Sequence, residues 1–435
     1  MARAKKETAL TPEVRLQAAL VPDWEWPHKL PENWCWLKLV ESFDNHTDSK
    51  KKIKQKDYLV KGKLAVVDQG QELIGGYTND VEKSYSGALP IVIFGDHTRC
   101  IKFVDFPFAQ GADGVKVLRP KPFYLPKAFY YALQSVNIPN LGYRRHFPLF
   151  NKFSIPLPPF AEQQRIVDRI ESLFDKLDEA KEKAQAVVDS FETRKAAILH
   201  QAFSGKLTAN WRVEHGISMD SWKCVKFSDV LDVRDGTHDS PTYHDMGYPL
   251  ITSKNLKDGQ ITDNDIRYIS KEDYEKINER SKVDIGDILF AMIGTIGNPV
   301  VVQNEPQFAI KNMALFKNIG RINPYFVKYY LESKTVNDKM QKDAKGSTQK
   351  FVSLGYLRAF LIDVPLELEQ MEIVHILDNL LVEEQQAKEA AEAVLDQIDL
   401  MKKSILARAF RGELGTNDPS EESAMELLKE IIRRG

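Results

Sequence analysis

The chain has 435 residues, of which 43% are hydrophobic and 28% are charged, so it is long enough for two to four domains with cores of their own. Its formal net charge of −2 excludes a uniformly basic surface of the kind that binds polyanions. Three cysteines that lie far apart exclude a disulfide framework and a cysteine-rich metal site, and they favour a reducing, cytoplasmic compartment. We expect no signal peptide and no membrane span, because no apolar segment has the necessary length.

The chain begins with an N-terminal segment, residues 1–30, and a first block, residues 31–152. In the segment, Thr11 followed by Pro12 predicts a helix start, with Thr11 as the N-cap. In the block, short apolar runs separated by Gly- or Asp-containing turns predict strands at 64–67, 89–94, 101–106 and 114–118, and a helix is predicted at 126–135. We therefore expect a small α+β domain.

Residues 153–208 predict one long helix that begins after Pro158 and ends before Gly205. Apolar or small residues recur there at alternating steps of four and three, which is the pattern of a heptad seam. The seam consists of Ile166, Ile170, Leu173, Leu177, Ala180, Ala184, Val187, Phe191 and Ile198, and Arg194 is its one polar position. Roughly 40 helical residues make a rod of about 60 Å, and a rod with one apolar seam needs a partner helix.

The second block, residues 209–359, repeats the plan of the first block with little of its sequence. Strands are predicted at 248–253, 287–293, 299–303 and 314–317, and a helix is predicted at 324–333. We expect two similar α+β scaffolds with different surfaces.

The segment 360–415 is a second copy of 153–208, displaced by 207 positions without a gap, and about 22 of the 56 aligned residues are identical. Its seam has Glu384 where the first copy has Leu177, and it otherwise comprises Ile373, Leu377, Leu380, Ala387, Ala391, Val394, Ile398, Met401 and Ile405. Such self-similarity predicts two half-molecules. We expect the two long helices to pair antiparallel as a coiled-coil spacer between the blocks, in a pseudo-twofold internal repeat. The tail, residues 416–435, predicts a short amphipathic helix.

Charge is distributed unevenly between the blocks and the long helices. Lys and Arg outnumber Asp and Glu by 17 to 12 in residues 31–150 and by 20 to 19 in 216–360. The helical stretches are acidic, with 7 against 9 in 161–203 and 4 against 10 in 367–410. Any polyanion is therefore expected to meet the blocks and to avoid the helices.

The sequence contains no recognised catalytic signature. There is no Gly-rich phosphate loop, and the run Leu157 to Phe160 (LPPF) lacks the Asn or Asp that precedes Pro-Pro-aromatic in adenine methyltransferases. Histidines without metal-ligand spacing are interpreted as surface residues: His97, His238 and His244. The acids of the second block are interpreted as solvated loop residues: Asp232, Asp235, Asp239 and Asp245.

The repeated pattern identifies a family resemblance. Two dissimilar blocks, each followed by an IPLPP-type segment, then EQ, IV and a long helix that closes with AFSGKLT or AFRGEL, resemble the specificity subunit of Type I restriction-modification enzymes. The run GKLT at 205–208, followed by Trp211 and Arg212, is similar to the boundary before the second recognition domain of that family. The resemblance extends from about Pro31 to Gly415, and the tail departs from it.

The resemblance implies a function as well as a fold. Each block would be a target recognition domain for one half of a split double-stranded DNA site, and the antiparallel helices would form the spacer. Two methyltransferase subunits would dock on the helices, with restriction/translocase subunits outside them. S-adenosylmethionine would be bound by the methyltransferase partner, so this chain itself would be non-catalytic, without a cofactor, metal or catalytic residue.

Loops with basic or amide side chains are the predicted DNA contacts, because Lys and Arg bind phosphates whereas Arg, Asn and Gln pair with base edges. In the first block these residues are Asp96, His97, Thr98, Arg99, Tyr143, Arg144, Arg145 and His146. In the second block they are Ser253, Lys254, Asn255, Lys311, Asn312, Lys345, Ser347, Thr348, Gln349 and Lys350. The lysine run at 50–56 is a further basic loop that could face DNA, and a disordered insertion is the alternative interpretation.

The 207-residue offset continues backwards, so that residues 140–152 align with 347–359. Both segments lead into a long helix, yet Arg145 in one and Gln349 in the other belong to different sets of polar residues. We therefore predict that these segments read different half-sites.

Two other classes of function compete with the DNA-reading subunit. One is a stand-alone or fused DNA methyltransferase or nuclease with an unrecognised catalytic motif, which methyl transfer by the isolated chain would reveal. The other is a coiled-coil scaffold unrelated to DNA, which accounts for the helices and leaves the two blocks unexplained.

Overall fold

The structure is a computed structural model that describes residues 11–111, 114–347 and 349–434. The chain divides into two compact units. Unit 1 comprises Met1–Lys183 and Val394–Gly435, and unit 2 comprises Ala184–Ala393. Each unit contains one block together with parts of both long helices.

The helices of the described residues, in chain order, are α1 Pro12–Ala19, α2 Pro126–Ser135, α3 Phe160–Phe203, α4 Ala209–Glu214, α5 Phe227–Val230, α6 Lys271–Ser281, α7 Pro324–Glu332, α8 Lys334–Asp343, α9 Leu354–Ala359, α10 Glu367–Ala409 and α11 Ala424–Arg434.

The strands of unit 1 are β1 Cys35–Lys38, β2 Phe43–Asn45, β3 Leu64–Val67, β4 Gly76–Thr78, β5 Ile91–Gly95, β6 Ile101–Val104, β7 Phe108–Gln110, β8 Val115–Pro120 and β9 Ser154–Leu157. Those of unit 2 are β10 Lys223–Lys226, β11 Leu231–Asp235, β12 Tyr248–Thr252, β13 Leu256–Lys257, β14 Gln260–Ile261, β15 Arg267–Ile269, β16 Ile288–Ala291, β17 Gly297–Val301, β18 Ala309–Lys311, β19 Ala314–Asn318 and β20 Leu361–Val364.

The block of unit 1 is built from two small sheets. The first is antiparallel, in the order β2-β8-β5-β6, and the second has the order β4-β3-β7, in which β3 and β7 run parallel. The β-branched and aromatic strand β5 is buried along its whole length, and α2 packs against it with Phe129 and Leu133 in the same core. β1 pairs antiparallel with β9, so the strand that enters the block lies beside the strand that leads to α3.

The block of unit 2 has the same plan. Its sheets have the orders β11-β19-β16-β17 and β15-β12-β18, and the parallel pair is β12 with β18. β10 pairs antiparallel with β20 beside the start of α10, and α7 packs against β17. The predicted α+β class and the shared plan of the two blocks are confirmed.

The predicted elements agree with the observed ones where apolar runs are long, whereas the helices α4, α5, α6, α8 and α9 were not predicted. α6 has the sequence KEDYEKINERS, which has too few apolar residues to show a helical period. Its start is fixed instead by Ser270, whose hydroxyl accepts a hydrogen bond from Asp273 N at 3.0 Å. The predicted N-cap of α1 is confirmed, since the Thr11 hydroxyl accepts from Val14 N at 3.4 Å.

The long helices α3 and α10 contain 44 and 43 residues. Gly205 and Gly412 follow them with φ of +72° and +75°, a left-handed conformation that glycine adopts without steric cost. Both predicted helix ends are therefore confirmed.

Within each unit, α3 and α10 contact one another through specific pairs. In unit 1, Lys402 Nζ lies 2.5 Å from Asp178 Oδ1 and 5.0 Å from the ring centre of Phe174. In unit 2, Arg194 Nε lies 2.6 Å from Glu384 Oε2. Arg194 and Glu384 are the two polar residues that interrupt the predicted seams, so each interruption is the ion-pair partner of the other.

The predicted seam of α10 is wrong at Ala387, Val394 and Met401, which are exposed. Next to two of these positions a lysine ammonium group lies over an aromatic ring of α3: Lys388 Nζ lies 4.9 Å from the ring centre of Phe191, and Lys402 Nζ lies 5.0 Å from that of Phe174. At these two places the contact with α3 is therefore a cation–π contact made by the lysine, and not by the small or apolar residue before it.

The repeated pair Glu-Gln joins the block of unit 1 to the start of α3. The Glu162 carboxylate is buried and accepts hydrogen bonds from Trp34 Nε1 at 2.7 Å and from the Thr416 hydroxyl at 3.1 Å. Gln163 accepts from Leu125 N at 2.7 Å, directly before α2. Burial raises the pKa of Glu162, although these hydrogen bonds to its carboxylate oppose the shift.

The same pair joins the block of unit 2 to α10. Glu369 accepts from Trp222 Nε1 at 3.0 Å and from the Thr208 hydroxyl at 2.7 Å, and it also forms a buried ion pair with Arg212. Gln370 accepts a hydrogen bond from Asn323 N at 2.8 Å, directly before α7. The sequence identity of the two Glu-Gln pairs therefore reflects one buried junction built twice.

The predicted tail helix is confirmed as α11, which packs against α1. Leu428 is buried in this contact, and Arg165 Nη1 and Nη2 each lie 2.8 Å from the Glu421 carboxylate at the entry to the helix. In the part of the chain that the structure describes, no helix combines the length and the apolarity needed to cross a bilayer.

Candidate nucleic-acid interface

The structure brings two of the predicted loops of the first block together. The ring of His97, after β5, stacks on that of Tyr143 with their centres 5.2 Å apart and an angle of 21°. His97 Nδ1 also lies 3.2 Å from the backbone oxygen of Tyr143. Tyr143 is 89% exposed, and Arg144 and Arg145 beside it are exposed as well. The stack therefore supports an exposed aromatic residue with two adjacent cations.

Two residues predicted as DNA contacts in these loops are buried instead. The Asp96 carboxylate accepts from Phe147 N at 2.7 Å. His146 Nε2 accepts from Leu141 N at 3.0 Å, so Nδ1 carries the proton and donates to the Asp96 backbone oxygen at 2.9 Å. A buried polar group needs a hydrogen-bond partner, and both of these groups have one inside the protein. Asp96 and His146 thus hold the 140–146 loop in place.

Thr98 and Arg99 have internal partners but are less enclosed. The Thr98 hydroxyl donates to the Gln69 backbone oxygen, and Arg99 Nη1 donates to the Ile138 oxygen at 3.0 Å. Arg99 has φ of +63°, an unusual conformation for a side chain of its size. Their backbone is therefore fixed, while Thr98 remains exposed and Arg99 half-buried.

In the second block, parallel pairing aligns Thr252 at the end of β12 with Lys311 at the end of β18, so the loops that follow both strands start at one sheet edge. Lys254 is exposed and Ser253 half-buried, but Asn255 is buried. Asn255 accepts from Thr252 N at 2.9 Å and donates to two backbone oxygens, so it stabilises the turn. Lys311, 8% exposed, donates to the Ser240 hydroxyl at 2.7 Å.

The described residues of the loop 345–350 present their side chains to solvent. Lys345 and Phe351 exchange two backbone hydrogen bonds of 2.9 and 2.8 Å, and the Lys350 backbone oxygen accepts from Gly294 N at 2.8 Å. Lys345, Ser347, Gln349 and Lys350 are exposed. Thr348 lies outside the described residues. The loop is thus closed by its backbone and leaves its polar side chains available.

A cluster in the second block was missed by the sequence reasoning. Asp235, interpreted there as a solvated acid, is buried at the end of β11 and forms an ion pair with Arg280 of α6. His238 Nε2 lies 2.9 Å from Asp235 Oδ2, and His238 Nδ1 lies 2.9 Å from Asn312 Oδ1. Hydrogen bonds with Asn312 and Asp235 raise the pKa of His238. The available signal was the spacing Asp-x-x-His directly after the alternating apolar and charged residues of 231–234.

No catalytic constellation emerges from these residues. Within 11–111, 114–347 and 349–434, no three His, Cys, Asp or Glu side chains are grouped so as to hold a metal ion. The two blocks instead offer fixed loops with exposed arginine, lysine, amide and aromatic side chains. Such groups bind phosphates and base edges by hydrogen bonds and stacking.

The sequence is similar to curated specificity subunits of Type I restriction enzymes. The specificity subunit of the Type I restriction enzyme EcoKI from Escherichia coli strain K12 is 26% identical over 302 residues, which cover 65% of this chain and 64% of that protein. The EcoBI specificity subunit from Escherichia coli is 26% identical over 306 residues, covering 64% of this chain and 63% of that protein. The chain therefore spans slightly less than two thirds of these relatives.

Solved structures with the same fold cover more of the chain. The HsdS subunit from Thermoanaerobacter tengcongensis aligns with 89% of this chain and 99% of its own, with a TM-score of 0.59 and 19% identity. A chain from a study of complex assembly and conformational transition of the type I R-M system aligns with 89% of this chain and all of its own, with a TM-score of 0.64 and 19% identity.

The family described as the Type I restriction modification DNA specificity domain matches this chain twice, at residues 31–188 and 219–393. The first match contains the whole first block, the second match contains the second block from residue 219 onwards, and each includes the first part of the long helix that follows. The two matches cover most of the sequence, and the chain therefore belongs to this family.

Proposed function

We propose that this chain is the DNA-specificity subunit of a Type I restriction-modification complex and binds a bipartite DNA site, one half-site per block. The observation that carries the proposal is the doubled architecture. Strand order and the buried Glu-Gln junction are repeated in both units, whereas the exposed loop side chains differ. A protein that reads two different half-sites can use the same scaffold twice, but each copy needs its own set of hydrogen-bonding groups.

The DNA-facing surface of the first block is formed by Tyr143, Arg144 and Arg145, supported by His97. The exposed arginines suit phosphates or guanine edges, and the buried Asp96 and His146 fix their loop. In the second block the corresponding surface includes the exposed or half-buried members of the predicted set, namely Ser253, Lys254, Asn312, Lys345, Ser347, Gln349 and Lys350.

The two long helices form the spacer as an antiparallel coiled coil. The Lys402–Asp178 pair in unit 1 and the Arg194–Glu384 pair in unit 2 support this pairing, since rising numbers on α3 meet falling numbers on α10. A polar pair at seam positions fixes register and orientation in coiled coils. A helix of 44 residues is about 65 Å long, enough to carry two readers about 34–36 Å apart, one DNA turn.

The proposed partners are two methyltransferase subunits, which dock on the helices, and restriction/translocase subunits outside them. The acidic helices and the more basic blocks support this division between protein and DNA contacts. S-adenosylmethionine belongs to the methyltransferase partner, and this chain has no catalytic role. A cytoplasmic location remains a prediction.

Exchange of one block tests the proposal. Residues 216–359 are replaced by the matching block of a relative with a different target, and the sites methylated by the assembled complex are mapped. We expect one half of the recognised site to change and the other to remain. Changes in both halves would contradict modular reading. Methyl transfer from labelled S-adenosylmethionine by the isolated chain would favour the enzyme alternative.

Lengthening of the helices tests the spacer. Seven residues inserted after Lys183 and seven after Ala393 add one heptad to each helix at the borders of the two units. The accepted half-site separation should increase by about 10 Å, or roughly three base pairs. Unchanged separation would show that the helices do not set the distance.

A further inference from the structure

The loop that follows β11 is fastened to the end of β18. Thr237 N donates to the Ile310 oxygen at 3.0 Å, and Asn312 N donates to the Thr237 oxygen at 3.1 Å. Lys311 at the end of β18 donates to Ser240 of the same loop. These bonds fix the distance between His238 in the loop and Asn312 behind the strand.

The backbone conformation at Asn312 is one that asparagine adopts readily. Its φ is +54°, the left-handed region that Asn tolerates better than most residues, and its side chain is half-buried. The parallel pairing of β12 and β18 aligns Thr252 with Lys311, so Asn312 and the exposed Lys254 follow neighbouring strand ends.

The donor and acceptor requirements of the His238 ring link the orientation of the Asn312 amide to the protonation of His238. Asp235 is a carboxylate that also pairs with Arg280, so it only accepts, and His238 Nε2 must carry a proton. A neutral ring then has a lone pair on Nδ1, which repels the Asn312 oxygen 2.9 Å away. The contact is therefore satisfied in two ways: by a protonated ring with Oδ1 as the acceptor, or by a neutral ring with the amide turned so that Nδ2 donates.

We propose that Asn312 reads a base edge in the second half-site and that His238 is the positioning residue that decides which amide atom faces the DNA. With His238 protonated, Nδ2 faces outward and favours edges that present acceptors, as guanine does. With His238 neutral, Oδ1 faces outward and favours edges that present an amino group, those of adenine and cytosine. This assignment rests on the proposed function and deepens it.

Other charges near His238 do not perform the same exchange. Asp235 and Arg280 neutralise each other in an ion pair, and Lys311 is directed to Ser240. His238 is 55% exposed, so its ring exchanges protons with solvent. Of the two side chains that bond to the His238 ring, Asp235 only accepts, so protonation of His238 acts on Asn312, which can present either a donor or an acceptor.

The test uses the full chain and a pool of randomised duplex DNA, from which bound sequences are selected at mildly acidic and mildly alkaline pH. For the wild type we expect the preferred base at one position of the second half-site to change from guanine to adenine or cytosine as the pH rises. His238→Gln should make that preference independent of pH.

Asn312→Gly separates the amide from the backbone, because glycine also adopts the left-handed conformation. It should reduce discrimination at that position about tenfold or more at both pH values and leave the first half-site unchanged. Asn298→Gly is the matched control: Asn298 is also left-handed, with φ of +51°, but donates to the Leu256 oxygen. This control should leave base preference unchanged.

Two outcomes would overturn the inference. Enrichment of a bipartite sequence whose second half is the same for the wild type and Asn312→Gly at both pH values would refute it while leaving the proposed function intact. Failure of the wild type to enrich any sequence would refute the proposed function and the inference together.

Discussion

The buried glutamates at the starts of α3 and α10 occupy the same position in the repeat but differ in how their charge is balanced. Glu162 has the Trp34 indole and the Thr416 hydroxyl as partners, whereas Arg165, one turn along, forms its ion pair with Glu421. Glu369 has the equivalent indole and hydroxyl and, in addition, the buried Arg212. The two halves therefore share a hydrogen-bonded junction but not its electrostatics.

This difference follows from how each junction is completed. In unit 2 the completing segment is the covalent link between α3 and the second block, and it supplies Thr208 and Arg212. In unit 1 the completing segment is the C-terminal tail, which supplies Thr416 and binds Arg165 through Glu421. A buried glutamate can thus hold the same junction either with an arginine counter-ion or with neutral hydrogen-bond donors alone. The free energy of burying its charge differs between the two cases.

The largest expected effect is that of Glu369→Gln. Without the carboxylate, Arg212 is left as a buried cation with no counter-charge, and we expect a loss of about 3–5 kcal/mol in the stability of unit 2. Hydrogen exchange of unit 2 amides measures this loss. The double variant Glu369→Gln, Arg212→Leu is the control and should recover part of it. Equal losses for the single variants Glu369→Gln and Glu162→Gln would contradict the comparison.

A smaller asymmetry is expected between Tyr329→Phe and Tyr131→Phe. Each tyrosine joins its block to a long helix at the same point of the repeat. The Tyr329 hydroxyl donates to the Asp378 carboxylate. The Tyr131 hydroxyl makes a longer contact, 3.4 Å from Glu171 Oε1, and the Glu171 carboxylate also pairs with Lys127. We expect a loss of about 1.5–3 kcal/mol for Tyr329→Phe, typical of a hydrogen bond to a charged group, and roughly 0.5 kcal/mol for Tyr131→Phe.

Exchange protection of α7 and α2 amides reports these two changes separately. The tyrosines are matched in burial, since they are 6% and 8% exposed, so lost packing is the same in both variants. The reverse order of losses would show that the distance at Tyr131 does not reflect a weaker bond.

The two blocks should also differ in which half-site a loop substitution affects. Arg145→Ala should weaken discrimination in the first half-site and Gln349→Ala in the second, by about 1–3 kcal/mol for each lost bidentate contact. Methylation mapping of the assembled complex measures both. Arg169→Ala, which removes an exposed arginine from α3, is the control for charge alone. Even loss of affinity across sequences, with a shallower salt dependence, would indicate phosphate contacts instead.

The smallest effect is expected for Glu162→Gln. The amide can accept from Trp34 and donate to the Thr416 hydroxyl, so we expect a change below about 1 kcal/mol at neutral pH. Its sign depends on pH. Burial raises the pKa of Glu162 above the ordinary value of 4.5, so the folded state binds the proton more tightly than the unfolded chain.

The stability that Glu162 contributes is therefore fully present below pH 4.5 and is lost as the pH rises through the raised pKa. The wild type should gain stability relative to Glu162→Gln as the pH falls from neutral. The difference is measured from denaturant unfolding of both proteins at several pH values, monitored by hydrogen exchange of the unit 1 amides. A gain for the wild type with rising pH would refute the assignment.

Several features of the fold were predictable because they depend on neighbours in sequence. The offset of 207 residues located both long helices and their glycine ends, and the same offset aligns the helical turns at 147–152 and 354–359. Apolar runs located β3, β5 and the helix α2 within a few residues. The helix α6 escaped because its sequence has almost no apolar period, and only its N-cap marks it.

The candidate interface was predictable only as a set of loops. Composition selected polar loops without indicating which of them come together, as those of His97 and Tyr143 do, and without separating exposed from buried members. Asp96, His146 and Asn255 belong to polar loops and are nevertheless buried, since each satisfies backbone groups of its own loop or of a distant one.

The sequence by itself determined the repeat, the lengths of the rods and the plan of the blocks, because periodicity and turn residues act over a few positions. Tertiary structure alone decided which charges pair between different elements of the fold. In the sequence, Arg194 and Glu384 are polar interruptions of two separate apolar seams, and they form an ion pair only because α3 and α10 contact one another in the fold. Likewise, the sequence shows Asp235 as one of several loop acids, and only the fold places Arg280 of α6 beside it. Pairing across such distances in sequence depends on desolvation by the folded neighbours, which no local pattern of residues encodes.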